Sequence, residues 1–167
     1  MGWFLVVTPL HQAAVNGGLE WAADAECSFG LPEDPPPVRE LPTVEQVLLA
    51  FCEAGCHGTP WFQVAGHDLI ADLPDCPDPA MCASVGGLDL GEVRLGVDGA
   101  SVDEPVELHQ AVTDIGFRKP SSRAVLAASV ALASQAGPLL VLDDSGACAF
   151  VVSPGDDPAN LAQHWPW

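Results

Sequence analysis

The sequence predicts an α+β fold in which a mostly antiparallel sheet carries its helices on one face. Apolar residues make up 49% of the 167 residues and charged residues only 17%, so the chain can bury the core of one domain, 1–167. Most apolar segments are short and bounded by glycine, proline or aspartate, which is typical of strands joined by turns. Two longer segments have helical signals, and each lies in a similar order of strand, helix, strand and strand.

The first half of the chain begins with a strand. Trp3–Thr8 is a run of aromatic and β-branched residues, and Pro9 follows it as a terminator. Residues 9–40 are less regular and contain the proline-rich loop Leu31–Pro37. Within this region Leu19–Cys27 fits a strand as well as it fits a helical turn, and both alternatives stay open.

Val44–Ala54 is the clearest helix of the first half. Thr43 and Gln46 have the spacing of a capping box, and Gly55 is placed to end the helix. One face is apolar at helical spacing, through Val44, Val47, Leu48, Phe51 and Cys52. We therefore expect this face to be buried, with Cys52 as part of it.

After this helix the pattern predicts short strands, turns and one long loop. The strands are Trp61–Val64, Leu69–Leu73 and Glu92–Val97, with a turn at Gly66-His67-Asp68. Residues 74–91 contain several prolines and glycines, and they are therefore predicted to form a loop.

The second half repeats the order of the first. Residues 103–112 fit a helix as well as a strand, and this choice stays open. After them the pattern predicts a strand, a helix, a hairpin and a short last helix. These elements are Thr113–Arg118, Ser122–Ala136, Leu139–Leu142 with Ala147–Val152, and a turn of helix from Pro158. The shared order leaves open whether the chain consists of two similar strand-helix-strand-strand halves.

The charge balance restricts the classes of partner. The chain contains five Lys and Arg and 23 Asp and Glu, which gives a formal net charge of −18. Nucleic acids and anionic membranes bind through many cations that displace counterions, and this chain has few. We expect neither as a partner. An anionic surface instead attracts a basic protein and accelerates its association, and the alternative is that the acidity serves solubility alone.

The six cysteines have two interpretations. An even number is compatible with disulfides, but no basic region precedes the apolar N-terminal run, so we expect a cytosolic protein with reduced thiols. Several cysteines and one histidine have spacing close to that of zinc ligands, namely Cys52, Cys56, His57, Cys76 and Cys82. Because the Cys76–Cys82 spacing is wide and Cys52 lies on an apolar face, we expect ordinary thiols here, and zinc binding is the alternative.

No motif indicates catalysis or a cofactor. The chain has no nucleophile elbow, phosphate-binding loop, zinc-protease motif or calcium loop. The acidic run Asp143-Asp144-Ser145-Gly146 has the composition of a hairpin turn, which we prefer to a magnesium site. The sequence therefore favours a protein that is not an enzyme.

The leading functional prediction is a cytosolic binding protein of the immunity or inhibitor type. Acidic loop residues would steer a basic partner, and two C-terminal tryptophans would anchor it. The predicted contact residues are Glu33, Asp34, Glu40, Asp75, Asp78, Asp143, Asp144, Trp165 and Trp167. The alternative is a domain that binds zinc through the cysteine cluster or a small molecule in a cleft between two similar halves.

Overall fold

The computed structural model describes residues 3–66, 73–74, 76, 78–85, 87–101 and 103–167. Within these residues it contains seven strands, which are β1 (Phe4–Pro9), β2 (Cys27–Phe29), β3 (His57–Pro60), β4 (Asp89–Val97), β5 (Val112–Arg118), β6 (Leu139–Asp143) and β7 (Cys148–Val152). The helices are α1 (Leu10–Val15), α2 (Gly18–Ala23), α3 (Val44–Glu53), α4 (Pro79–Val85), α5 (Ser122–Ala136) and α6 (Pro158–His164). None of these helices is both long and apolar enough to cross a bilayer.

All seven strands form one mixed sheet in the order β2-β7-β6-β1-β5-β4-β3. The central strand β1 pairs antiparallel with β5 and with β6, and only the two edge strands β2 and β3 pair parallel with their neighbours. The predicted α+β class with a mostly antiparallel sheet is confirmed.

The larger core lies between the sheet and the two long helices. Alternate residues of a strand point to opposite faces, so Leu139 and Val141 of β6 join α3 and α5 in this core. Leu140 points the other way and packs in a smaller cluster with Leu10 of α1 and Ala22 of α2. The two predicted long helices thus share one face of the sheet. The helices α1 and α2, which lie in the less regular region 9–40, form a second, smaller layer on the other face.

The local signals of the long helices are confirmed in detail. Thr43 and Gln46 form the reciprocal hydrogen bonds of a capping box, and α5 has the predicted bounds. The expectation for Cys52 is wrong, because its side chain is exposed, whereas the other four residues of the predicted face are buried. Cys52 lies at the edge of the apolar face, one position beyond the part that contacts the sheet.

Two predictions between α3 and β4 are also wrong. The strand lies at His57–Pro60 and not at Trp61–Val64, because the parallel pairing with β4 begins directly after the helix. Residues 74–91 are not a continuous loop, since they contain α4, where Asp78 accepts a hydrogen bond from the N–H of Met81. Proline here begins a helix, a position that its missing N–H allows. The predicted strand Leu69–Leu73 and the turn at His67 lie mostly outside the described residues.

The two halves share an order but not a pairing. β3 and β4 pair parallel in the first half, whereas β6 and β7 form an antiparallel hairpin in the second. The halves are interleaved in the sheet, because β1 lies between β5 and β6.

One pair of cysteines differs from the expectation of reduced thiols. Cys27 of β2 and Cys148 of β7 face each other across the parallel pair and form a disulfide. This bond attaches the three-residue edge strand β2 to the sheet, and the sequence expectation is wrong for these two residues.

Candidate metal centre

His57 is a buried imidazole at the start of β3. The chain leaves α3 through Gly55, which has the positive φ of 71° that favours glycine. The His57 N–H then donates to the carbonyl of Leu88 at 3.0 Å, which fixes the backbone beside β4. The whole residue is only 8% exposed, so its ring nitrogens need partners within the protein.

Two cysteine thiols lie against this imidazole. Cys82 of α4 places its Sγ 3.4 Å from Nε2 of His57. Cys76 lies just before the helix, in a segment held to β3 by the bond from the Gly58 N–H to the Pro74 carbonyl at 3.3 Å. One ligand atom of each of the three side chains lies within 4.8 Å of the other two.

Asp89 faces the opposite nitrogen of the same ring. Its Oδ1 lies 3.7 Å from Nδ1 of His57. The same oxygen accepts a hydrogen bond from the Gly91 N–H at 2.8 Å, which holds the carboxylate at the start of β4. A carboxylate on the far side of a ligand imidazole is a common feature of zinc centres, because it fixes the tautomer and orientation of the ring.

The spacing of these atoms suits a tetrahedral zinc ion. Zinc binds thiolate sulfur at about 2.3 Å and imidazole nitrogen at about 2.0–2.1 Å, so two such ligands lie about 3.6 Å apart. The 3.4 Å between Cys82 Sγ and His57 Nε2 is within about 0.2 Å of that separation. The 4.8 Å span of all three ligand atoms is wider than the about 3.8 Å between two thiolates on one zinc ion, so binding would draw the side chains together.

The electrostatics of the cluster do not support a reactive thiolate at Cys82. Partial burial, the hydrogen-bonded Cys76 thiol and the Asp89 carboxylate raise the pKa of Cys82, and the Gly87 N–H only partly opposes them. A catalytic cysteine needs the opposite, a lowered pKa that supplies thiolate. The raised pKa of Cys82 therefore gives no support to nucleophilic attack. Metal ligation also needs the thiolate, which a bound cation would itself stabilise.

The remaining two residues of the predicted zinc set lie apart from the cluster. The Cys56 thiol is buried and donates to the carbonyl of Ala124 at 3.6 Å, and its burial, with Cys52 nearby, raises its pKa to about 11. Cys52 is exposed on α3. The structure thus keeps His57, Cys76 and Cys82 of the original five and adds Asp89, which sequence spacing gave no reason to include.

The acidic residues predicted for partner contact are dispersed. Glu33, Asp34 and Glu40 are exposed on the long loop between β2 and α3. Asp144 is exposed at the hairpin turn, whereas Asp143 is half-buried and accepts hydrogen bonds from Ser145 and the Cys148 N–H. The exposed Asp78 caps α4, and Asp75 lies outside the described residues.

The C-terminal tryptophans pack on the protein itself. The Trp165 ring meets Phe150 of β7 edge-on at 4.9 Å, and the Trp167 ring meets Trp165 at the same distance. Both tryptophans are only partly exposed and lie against the larger core. Their indole N–H groups are buried and have no hydrogen-bond acceptor within the described residues.

Comparison with known proteins finds no family model, no curated protein and no solved structure that matches this chain.

Proposed function

We propose that this protein binds a zinc ion through His57, Cys76 and Cys82. The observation that carries the proposal is the convergence of one imidazole nitrogen and two thiol sulfurs within 4.8 Å, with Asp89 behind the imidazole. The donor set of nitrogen and soft sulfur is the one that zinc prefers.

The bound ion would organise the segment that contains α4. This helix is short, and its residues Pro79, Ala80, Met81 and Ser84 are exposed, so these four side chains contribute little apolar burial against the sheet. A metal that joins Cys76, just before α4, and Cys82, within α4, to His57 of β3 would attach this segment to the edge of the sheet at two points. We therefore propose a structural role, in which the binding free energy of the metal contributes to folding.

Zinc titration of metal-depleted protein against a chromophoric chelator tests the proposal. We expect one zinc per chain, and we expect Cys76→Ser and Cys82→Ser each to weaken binding at least tenfold. Cys52→Ser is the matched control, since it removes an exposed thiol outside the cluster and should bind zinc as the wild type does. Binding of less than one equivalent by the wild type, or equal loss in the control, would contradict the proposal.

We propose, as a second function, that the acidic surface docks a basic protein partner. The observation that favours it is the exposure of Glu33, Asp34 and Glu40 on one proline-rich loop in a chain of net charge −18. Such an excess steers cations over a distance set by the ionic strength. An arginine-containing peptide should bind, and its affinity should fall as salt rises from 20 to 200 mM. Affinity that does not change with salt would contradict electrostatic docking.

The cytosolic location predicted from the sequence stays a prediction. The Cys27–Cys148 disulfide weighs against it, because disulfides persist in oxidising compartments and are rare in the cytosol. Alkylation of thiols during extraction, followed by mass spectrometry, tests it: a reduced pair supports a cytosolic location and an oxidised pair contradicts it.

A further inference from the structure

Trp61 is the most exposed tryptophan among the described residues. It is 56% exposed, compared with 46% for Trp21 and 37% for Trp3. Its backbone is fixed, because the Trp61 N–H donates to the carbonyl of Val93 at 2.8 Å directly after β3 ends. A rigidly held tryptophan that leaves more than half of its surface in water is typical of a contact residue.

Two adjoining clefts border this ring. One, of about 260 Å³, is lined by Trp61, Arg94, Glu104 and Asp114 among others. The other, of about 330 Å³, is lined by Asp103, Glu104 and the segment 60–63, which includes Trp61. Sites for drug-sized molecules occupy about 300–1,000 Å³. The first cleft is below this range and the second is close to its lower limit, so each suits a single side chain.

The charged groups around the clefts favour a cation. Asp103 and Glu104 are exposed and line the rim beside the ring. The cationic side chains nearby already have partners, since Arg94 is 3.8 Å from a carboxylate oxygen of Asp114 and Arg118 is 3.0 Å from one of Glu92. An incoming anion would meet paired arginines on a protein of net charge −18. A cation would meet the exposed carboxylates of Asp103 and Glu104, the second of which also accepts a hydrogen bond from the Ser101 N–H at 3.4 Å.

The Trp61 ring also interacts with a guanidinium group in the folded protein. The Arg118 Cζ lies 5.8 Å from the ring centroid, within the range of a cation–π interaction. More than half of Trp61 remains exposed beside this contact, which leaves surface of the residue for a partner.

From these observations we infer that the clefts beside Trp61 bind an arginine side chain of a basic protein partner. The exposed surface of Trp61 receives the guanidinium group, and the carboxylates of Asp103 and Glu104 pair with it. This inference rests on the second proposed function and is independent of the zinc ion. It moves the aromatic anchor from the packed tryptophans Trp165 and Trp167 to Trp61.

Calorimetric titration with a defined peptide tests the inference. The probe is a seven-residue peptide of alternating glycine and arginine, acetylated and amidated, and a glycine–serine peptide of the same length is its control. We expect Trp61→Ala to weaken binding of the arginine peptide about threefold to tenfold. Trp21→Ala is the matched aromatic control and should leave the affinity unchanged within a factor of two.

The carboxylates are tested with two variants that have the same net charge as each other. The double variant Asp103→Asn/Glu104→Gln and the double variant Glu33→Gln/Asp34→Asn remove the same number of charges from two different loops. We expect the first to weaken binding at least threefold more than the second, because only the first removes carboxylates that line the clefts. The far-ultraviolet circular dichroism of all variants should match that of the wild type.

The outcomes separate the site from the function. Peptide binding that is weakened by the Trp61 and Asp103/Glu104 variants alone supports the inference. Binding that every variant retains, or that both charge variants weaken equally, overturns the inference and leaves docking through the whole acidic surface intact. A wild type that binds neither peptide overturns both the inference and the second proposed function.

Discussion

The disulfide at the sheet edge leads to a prediction about stability. Cys27 and Cys148 are 121 residues apart in sequence, with their Cα atoms 4.7 Å apart. The edge strand β2 that carries Cys27 has only three residues, and its main apolar contact is the stacking of Phe29 on Phe150 at 4.6 Å. Replacing both cysteines with serine therefore leaves β2 with few interactions that hold it against β7.

The length of the closed loop gives the size of the effect. A cross-link reduces the conformational entropy of the unfolded chain, and for a loop of this length the reduction corresponds to about 5 kcal/mol at 25 °C. A chain of this size changes its Tm by about 2–4 °C per kcal/mol. We expect the double variant Cys27→Ser/Cys148→Ser to melt about 10–20 °C below the wild type.

Differential scanning calorimetry, with zinc and chelator held constant, measures this difference. The wild type in the presence of a strong reductant should melt close to the double variant, whereas Cys52→Ser, which removes a free exposed thiol, should melt with the oxidised wild type. Equal melting temperatures for the double variant and the oxidised wild type would refute the reasoning. So would six titratable thiols in wild-type protein unfolded without reductant.

Three further predictions follow from single residues. Burial raises the pKa of Cys56 from 9.0 to about 11, so the folded state retains this proton more strongly than the unfolded state does. The stability that results is complete below pH 9 and is lost as the pH rises to about 11. The free energy of unfolding from urea titrations should therefore fall by up to about 3 kcal/mol over that range, and it should fall by less in Cys56→Ala. Trp165→Ala removes an edge-on contact with Phe150 from a partly buried tail, and we expect a loss of about 2–3 kcal/mol by chemical unfolding, whereas an unchanged midpoint would show that the tail is only loosely attached. The Cβ of Gly87→Ala would overlap the Sγ of Cys82, so this variant should bind zinc at least tenfold more weakly than the wild type with unaltered circular dichroism, and wild-type affinity would contradict the assigned position of the thiol.

Local signals predicted the elements that depend on local interactions. The capping box at Thr43, the helix Ser122–Ala136 and the hairpin turn at Asp143 each depend on residues close together in sequence, and each occurs as predicted. The strand at His57–Pro60 was missed, because its four residues include a glycine and a proline and it is defined by parallel pairing with β4, which is distant in sequence. Tertiary contacts override weak propensity in such segments.

The candidate site was only partly predictable for the same reason. The structure brings together His57, Cys76 and Cys82 from the five residues considered as the alternative zinc set, but spacing alone gave Cys52 and Cys56 equal weight. Cys52 is exposed on α3, and Cys56, which follows Gly55, donates instead to the carbonyl of Ala124 in α5.

Asp89 and Trp61 had no motif that could reveal their neighbours. Asp89 approaches His57 because β3 and β4 pair in parallel, and Trp61 is exposed because the strand ends one residue before it. Likewise, composition could not distinguish the packed Trp165 and Trp167 from exposed anchors, since only the contact with Phe150 decides it.

Zinc K-edge X-ray absorption of the protein loaded with one equivalent of zinc tests the central claim most directly. The ligand set His57, Cys76 and Cys82 predicts two sulfur neighbours at about 2.3 Å and an imidazole nitrogen at about 2.0–2.1 Å. In Cys82→Ser the sulfur count should fall to one, and in Cys52→Ser it should stay at two. A shell of nitrogen and oxygen alone, or a shell with four sulfurs, would contradict the assigned centre.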